Sequence, residues 1–249
     1  MIDLYKNPDI YDQLVPWGLR EDEPFYLAST AQIKQPVLEL MAGTGRLTIP
    51  MAKQGVNITG LDLSKEMLAK AETNAKQAGV NIPFIHGDAT NFQLNKKFGL
   101  IIIPASALLL LDSKESIEKC LKCAKDHLLP GGKLIIDVIT LACIEKTPRD
   151  NKFKTHRYTS SSGKDVDVVL TDFQYDSAEK LFSYNFLPQD TVSGQEIRRD
   201  KVTLKMYTPE ELRALLYQQG FNISKEYGDY SRNPFHHQSM HQIIVCQPN

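Results

Sequence analysis

Short apolar runs separated by amphipathic stretches dominate the chain from residue 37 onward. Runs of this kind are typical of strands that are buried on both faces of a sheet. Five of them lie at 37–42, 57–63, 82–88, 98–105 and 133–139. Between them, apolar residues recur at the spacing of one helix face. Because parallel strands need crossover connections that cover both faces, this alternation predicts a doubly wound, Rossmann-like α/β fold.

The pattern changes after about residue 141. Residues 141–207 are rich in Val, Thr, Tyr and Phe, alternate polar with apolar positions, and contain turn signals such as SSG and SGQ. This composition predicts three or four antiparallel strands inserted into the α/β core. A helix start at Thr208 then restores the earlier pattern, and the runs at 221–230 and 241–247 supply two more strands.

These patterns divide the chain into three units. Residues 1–36 are predicted to form an N-terminal helical lid. Residues 37–140 together with 208–249 are predicted to form the core, around a mostly parallel sheet of seven strands. Residues 141–207 are predicted to form an antiparallel β subdomain. That insert either roofs a substrate pocket or makes a dimer interface, so a monomer and a homodimer both stay open.

Composition narrows the class of function. The chain has 249 residues and a formal net charge of −1, so nucleic acid is not an expected partner. No apolar run reaches the length of a membrane span, and the first residues lack the apolar core of a signal peptide, so a cytoplasmic protein without a membrane is expected. In that compartment thiols stay reduced, so the four cysteines are expected to be ordinary free thiols. No metal is expected, because His237 and His241 lack further ligands nearby.

The sequence AGTG at 42–45 follows the first predicted strand and opens a helix. In open α/β sheets such a turn lies where ligands bind, outside the carboxyl ends of the strands. A phosphate loop of the Walker type is excluded because no Lys-Ser/Thr pair follows Gly45. A dinucleotide fingerprint is disfavoured because its third position is Thr48. Glu39 also places a negative charge in the pocket, which repels a pyrophosphate and attracts an ammonium group.

Two more acids end the next two predicted strands. Asp62 is placed to accept hydrogen bonds from ribose hydroxyls, a role that by itself also fits NAD. Asp88 is placed to accept a hydrogen bond from an exocyclic amino group. An acid after each of three successive strands suits a ligand with an amino acid end, a ribose and an adenine, and without phosphate.

This ordered set of motifs resembles the class I S-adenosylmethionine-dependent methyltransferases. The matching stretches are LELMAGTG, GLDLS, GDA, FGLIIIPASA and LLPGGKLIID. The resemblance runs from about residue 35 to 140 and resumes at 208–247. YDQL near the N-terminus and the inserted strands before YTPEEL are similar to a small-molecule subgroup that includes amino-sugar N-methyltransferases.

The resemblance implies S-adenosylmethionine as the cofactor and S-adenosylhomocysteine as its product. It implies that Glu39 holds the amino acid end, Asp62 the ribose and Asp88 the adenine amino group. The full set of implied cofactor-binding residues is Glu39, Ala42, Gly43, Gly45, Asp62, Leu63, Asp88, Ala89 and Ala105. One position departs from the family pattern, because Met41 stands where the family usually has glycine.

Candidates for catalysis and for binding the acceptor lie outside these motifs. His236 and His237 belong to the loop 230–241, which follows a strand predicted to run parallel to the others and therefore to end on the cofactor side. Both are candidate general bases, and Tyr11 is a third catalytic candidate. The residues that are expected to reach the substrate are Tyr11, Trp17, Tyr230 and Arg232.

The sequence therefore predicts an enzyme that transfers a methyl group to nitrogen or oxygen of a small molecule. The fourth strand is followed by PASA, which lacks the N-P-P-Y pattern of adenine and amide-nitrogen methyltransferases. An NAD-type oxidoreductase and a non-catalytic S-adenosylmethionine-binding protein stay open as alternatives.

Overall fold

The computed structural model describes residues 3–14, 21–146, 152–160 and 162–249. After a 3₁₀ turn at Asp3–Lys6, the helices of these residues are α1 (Pro8–Leu14), α2 (Asp22–Thr30), α3 (Thr48–Lys53), α4 (Lys65–Gln77), α5 (Lys114–Asp126), α6 (Leu141–Lys146) and α7 (Pro209–Gln218). A second 3₁₀ turn covers Ala107–Leu110. The strands are β1 (Val37–Leu40), β2 (Ile58–Asp62), β3 (Phe84–His86), β4 (Phe98–Ile103), β5 (Leu128–Ile139), β6 (Lys152–Thr159), β7 (Asp165–Asp176), β8 (Leu181–Asp190), β9 (Asp200–Lys205), β10 (Phe221–Tyr227) and β11 (His241–Pro248).

Seven strands form the main sheet in the order β10-β11-β5-β4-β1-β2-β3. Strand β11 is antiparallel to both of its neighbours, β5 and β10. The other neighbouring pairs, β5–β4, β4–β1, β1–β2 and β2–β3, are parallel. The predicted Rossmann-like, mostly parallel sheet of seven strands is confirmed. Since β4, β1, β2 and β3 are neighbours, the turns after them meet at one edge of the sheet.

The fifth strand begins earlier than the pattern indicates. The sequence places the start at residue 133, after the PGG that ends a helix, whereas β5 already begins at Leu128. The β4–β5 register shifts between Phe98 and Leu100, so the extra residues fit as an irregularity in the ladder. Gly131 contributes a φ of 75°, a left-handed conformation that suits glycine.

Each face of the main sheet carries a hydrophobic core. On one face α2, α3 and α4 contribute Phe25, Met51 and Ala75. On the other face α5 and α7 contribute buried side chains such as Leu121 and Leu215. Helices therefore cover both faces, as the continuous apolar strands require.

The inserted strands form a second, antiparallel sheet in the order β6-β7-β8-β9. The predicted antiparallel insert is confirmed, with four strands. Its buried residues Val168, Phe182 and Val202 belong to the same hydrophobic cluster as Ile103 and Leu108 of the main domain. The insert is thus packed on the core rather than held at a distance by a linker.

In the part of the chain that the structure describes, no helix combines the length and the apolar character that crossing a membrane requires.

Candidate active site

A cavity of about 520 Å³ opens at the carboxyl ends of β1, β2 and β4, beside the turn after β3. A volume of this size suits a nucleoside-sized ligand. The cavity brings together most of the residues implied by the resemblance. Eight of the nine line it: Glu39, Ala42, Gly43, Asp62, Leu63, Asp88, Ala89 and Ala105.

The two glycines of the turn have different surroundings. Gly43 has a φ of 56° and lines the cavity, and a Cβ placed on it would lie 3.9 Å from the ring of Tyr11. Gly45 has a φ of 81° and is not among the lining residues. A Cβ on Gly45 would come within 3.0 Å of Ile49 and 3.3 Å of Phe84. In this structure Gly45 permits the tight packing of α3 on the sheet, and its contact with a cofactor stays a prediction.

Glu39 is buried at the cavity wall, near the end of β1. Its carboxylate accepts a hydrogen bond from the hydroxyl of Thr48. Thr48 is the residue at the third position of the glycine fingerprint, and here it holds the acid in place. Burial raises the pKa of Glu39 from its ordinary 4.5 to about 7, and the Thr48 hydrogen bond and the Arg46 guanidinium oppose that rise.

Arg46 also lines the cavity, and its charge is paired. Its guanidinium donates two hydrogen bonds to the buried carboxylate of Asp22 in α2, at 2.8 and 2.5 Å. The sequence did not mark this pair as part of the site, because the two residues are distant along the chain.

Asp62 ends β2 and is oriented by backbone groups. Its two carboxylate oxygens accept from the N–H of Gly43 and the N–H of Ser64, each at 2.8 Å. Burial raises the pKa of Asp62, and these two hydrogen bonds oppose the rise. The carboxylate keeps lone pairs for further donors. The adjacent Leu63 is 51% exposed at the cavity edge, which makes it an apolar surface for a flat ring.

Asp88 follows β3 and is exposed at the other end of the cavity. One of its oxygens accepts from both the N–H and the hydroxyl of Thr90, at 2.8 Å each. These two hydrogen bonds fix the orientation of the Asp88 carboxylate, and neither of them uses its second oxygen. Ala89 beside it is buried.

Met41 has a left-handed backbone, with a φ of 59°. Its side chain is half-buried, lines the cavity and packs against the main hydrophobic cluster. A left-handed conformation is unfavourable for residues with a Cβ, which agrees with the glycine that the resemblance leads one to expect at this position. Methionine therefore narrows the cavity at a position where the chain geometry favours glycine.

The turn after β4 is also left-handed. Ala105 and Ser106 both have a φ of 57°, and Ala105 lines the cavity. Their N–H groups donate to the buried carboxylate of Asp137 in β5, at 3.0 and 3.3 Å. The same carboxylate accepts from the hydroxyls of Tyr26 and Tyr230, the latter at 3.1 Å. Tyr230, a predicted substrate residue, is thus bound to Asp137 and does not line the cavity.

The N-terminal segment covers the glycine turn. Tyr5 and Tyr11 line the cavity, with ring centroids 5.6 Å apart. Burial raises the pKa of Tyr11 to about 12, so its hydroxyl is neutral at ordinary pH. Asp12 ties α1 to the site, because it accepts from the hydroxyl of Thr44 and from the amide of Asn74. The predicted substrate residue Trp17 lies outside the described residues.

The loop between β10 and β11 lies apart from the cavity. Arg232 donates to the hydroxyl of Ser29 at 3.3 Å and stacks over Phe25, and it is not a lining residue. His236 and His237 are not lining residues either. Strand β10 is parallel to β5, as the sequence indicates, but β11 and β5 separate it from β4 and β1. The roles of these two histidines in catalysis stay predictions without support from the geometry.

Several residues of this site were not singled out by the sequence pattern. Tyr5, Tyr26 and Asp137 reach the site, or bind residues of it, only because the fold brings distant elements together. Asp137 does follow three apolar residues in a buried strand, and an acid in that position is the one signal that could have marked it.

Comparison with known proteins agrees with this geometry. A family model described as a methyltransferase domain matches residues 37–132, which extend from β1 into β5. Together with the fold and the cavity, this match supports the S-adenosylmethionine-dependent methyltransferase that the sequence predicts. The chain is similar to the putative methyltransferase YqeM of Bacillus subtilis (strain 168), with 24% identity over 229 residues, which cover 89% of this chain and 87% of that protein.

Two solved structures share the fold along almost the whole chain. The CcbJ methyltransferase from Streptomyces caelestis has a TM-score of 0.83 at 20% identity, covering 98% of both chains. CalS10, an amino pentose methyltransferase from Micromonospora echinaspora, has a TM-score of 0.71 at 18% identity, covering 96% of this chain and 97% of its own.

Proposed function

We propose that this enzyme methylates the nitrogen of a small-molecule amine that enters the cavity above the carboxyl edge of the sheet. S-adenosylmethionine supplies a methyl group bonded to a positively charged sulfur. In the transfer, the lone pair of the acceptor nitrogen forms the new N–C bond as the S–C bond breaks. The sulfur keeps that bonding pair, S-adenosylhomocysteine leaves, and the nitrogen releases a proton to solvent.

The order of the strands supports a single orientation of the cofactor. Asp88 lies after β3, Asp62 is the last residue of β2, and Glu39 lies in β1. A nucleoside along this edge has its adenine at Asp88 and its ribose at Asp62. Its amino acid end then reaches Glu39 and the glycine turn, beside the turn after β4. Glu39 is the partner for the ammonium group, because a buried carboxylate gains most from an opposite charge.

The charge of the cavity wall is the observation that carries the choice of an amine. Four carboxylates line the cavity, from Glu39, Asp62, Asp88 and Asp112. The guanidinium that lines it, that of Arg46, is already ion-paired with Asp22 at 2.5 Å. A wall of this charge attracts a cationic cofactor and an amine, and it disfavours acceptors with phosphate or carboxylate groups.

The titratable groups also favour nitrogen over oxygen. A hydroxyl acceptor usually needs a general base, most often histidine. Among the described residues that line the cavity there is no histidine. Carboxylates can also act as bases, but the proposed orientation assigns three of the four to the cofactor, which leaves Asp112. Tyr11, with a pKa raised to about 12, is a neutral hydroxyl that can orient an amine by a hydrogen bond. An amine acceptor only has to lose its proton before the transfer, so it needs alignment more than a base.

A direct test measures product formation with matched acceptors. Primary and secondary amines, including amino sugars, are each paired with the alcohol of the same carbon skeleton, and S-adenosylhomocysteine is quantified by mass spectrometry. Methylation of amines with alcohols left unchanged is the expected result. Methylation of the alcohols alone would contradict the choice of nitrogen. Binding of S-adenosylhomocysteine without turnover on the whole panel would favour the non-catalytic alternative, and tight NAD binding in its place would favour an oxidoreductase.

A further inference from the structure

The buried carboxylate of Asp137 connects β5 to three other parts of the molecule. It accepts from the Tyr26 hydroxyl of α2, from the Tyr230 hydroxyl after β10, and from two backbone N–H groups after β4. Each carboxylate oxygen receives one hydroxyl and one N–H. Asp137 is fully buried and does not line the cavity, so a direct contact with the ligand is not its role.

The turn that Asp137 holds is conformationally unfavourable. Ala105 and Ser106 are consecutive residues with a φ of 57°, and neither is glycine. Such residues persist only where the surrounding structure holds them. Here the Ala105 N–H binds the carboxylate, and the Ser106 N–H is shared between the carboxylate and the backbone carbonyl of Asp137, at 3.3 and 3.2 Å. The Ser106 hydroxyl also accepts from the N–H of Ile139 at 2.9 Å. The turn is therefore maintained from β5, the neighbouring strand.

The same turn forms part of the cavity wall. Pro104 and Ala105 line the cavity, and β4 is the parallel neighbour of β1, which carries Glu39. Asp62 and Asp88 lie on the other side of β1, at the end of β2 and after β3. In the proposed orientation, the amino acid end of the cofactor thus lies nearest to this turn, and the adenine lies farthest from it.

We infer that Asp137 is a positioning residue that shapes the wall for the amino acid and sulfur end of the cofactor through the Ala105–Ser106 turn. Tyr26 and Tyr230 complete the site by satisfying the remaining lone pairs of the carboxylate. This inference rests on the proposed orientation of the cofactor. It assigns Tyr230 a role in supporting the turn.

The test compares two ligands that differ only at the relevant end. S-adenosylhomocysteine carries the homocysteine part, whereas adenosine lacks it. In Asp137→Asn, the amide NH₂ replaces an oxygen that accepts from one tyrosine hydroxyl and one backbone N–H of the turn. The hydroxyl can rotate and become the acceptor, but the N–H cannot, and both N–H groups lose their hydrogen bond to a charged carboxylate. We expect the Kd for S-adenosylhomocysteine to rise about tenfold, as loss of a hydrogen bond to a buried charge implies, and the Kd for adenosine to stay within about twofold.

Ile135→Val is the matched control. Ile135 is a buried residue of the same strand, two positions before Asp137. Its side chain has no polar group that could hydrogen-bond to the turn. The substitution weakens the core near the site and is expected to leave both Kd values unchanged. Tyr230→Phe is a milder second variant with the same selective effect, smaller in size, and it serves where Asp137→Asn fails to fold.

The possible outcomes separate this inference from the proposed function. A wild-type protein that binds neither ligand would contradict the proposed function itself. Wild-type binding of both ligands, with an equal loss or no loss in Asp137→Asn and Tyr230→Phe, would overturn the role of Asp137 alone. A selective loss for S-adenosylhomocysteine supports it.

Discussion

Left-handed residues with side chains border the cavity at the ends of two neighbouring strands. Met41 follows β1, and Ala105 follows β4, with φ values of 59° and 57°. Both line the cavity. A Cβ in this conformation is unfavourable by about 1–2 kcal/mol, so the chain keeps strain where the ligand is expected.

The strain at Met41 predicts that glycine is more stable than alanine at this position, the reverse of the order in a helix. Met41→Gly and Met41→Ala both remove the side chain, but only glycine relieves the left-handed conformation. We expect the glycine variant to be more stable by about 1 kcal/mol in urea unfolding. The control is Ala69→Gly, on the exposed face of α4, where glycine is expected to be less stable by about 0.5–1 kcal/mol. The prediction fails if alanine is the more stable residue at position 41.

Glu39 is expected to make cofactor binding depend on pH. With its pKa raised from 4.5 to about 7, the folded protein holds a proton here that the unfolded chain has lost, so Glu39 lowers stability as pH rises from 4.5 to 7. A ligand ammonium favours the charged form. The affinity for S-adenosylhomocysteine is therefore expected to rise between pH 5.5 and about 7 and then to level.

Titration calorimetry checks this dependence on pH. Near pH 6.5, binding is expected to release protons, which appears as a difference in enthalpy between buffers of different ionisation enthalpy. Glu39→Gln keeps an acceptor for Thr48 and removes the titration, so its affinity is expected to be weaker at pH 8 and flat over the range. An affinity that falls with pH in the wild type is incompatible with the assigned role of Glu39.

At the scale of elements, α1 packs against the glycine turn. It carries Tyr11 into the cavity wall, and Asp12 joins it to Thr44 of the turn and to Asn74 of α4. A short helix of seven residues has little stability of its own, so these contacts set its position.

Asp12→Ala is expected to speed the dissociation of S-adenosylhomocysteine by about three- to tenfold, because two hydrogen bonds that hold α1 are lost. Stopped-flow displacement measures that rate. The matched control is Asp9→Ala in the same helix, where an exposed ion pair with Lys70 at 2.6 Å is removed. Since exposed pairs contribute little, the control is expected to stay within about twofold. Equal effects of the two substitutions would contradict a specific role for Asp12.

The predicted helices and strands agree with the structure where the apolar residues of a segment follow a single periodicity, that of a helix or that of a strand. The buried strands and the helix that starts at Thr208 were predictable, because the burial of apolar residues and the capping box act locally. The start of β5 was misplaced because PGG, a common helix stop, was accommodated inside the β4–β5 ladder. The pairing partner decided that boundary, and the local sequence did not.

At the scale of the molecule, the insert and the main domain share one hydrophobic cluster. Phe182 of β8 lies in that cluster with Leu108 and with Leu212 of α7. Shared burial of this kind couples the stability of the two parts.

We therefore expect the insert and the core to unfold together. Phe182→Ala is expected to lower stability by about 3–5 kcal/mol and to shift a single calorimetric transition, with equal calorimetric and van't Hoff enthalpies. Val192→Ala is the control, because Val192 is 97% exposed in the turn after β8, and it is expected to leave the transition unchanged. If calorimetry shows two transitions and Phe182→Ala lowers the midpoint temperature of only one of them, the insert unfolds independently.

By itself, the sequence determined the α/β fold, the inserted sheet and the row of acids at the strand ends. These features depend on local periodicity and on the rule that parallel strands end at a common edge. The tertiary structure alone decided the rest of the site. Asp137 meets Tyr26, Tyr230 and the Ala105 turn only because the strand order 10-11-5-4-1-2-3 brings distant elements together. The histidines after β10 lie apart from the cavity for the same reason, since two strands separate them from β4.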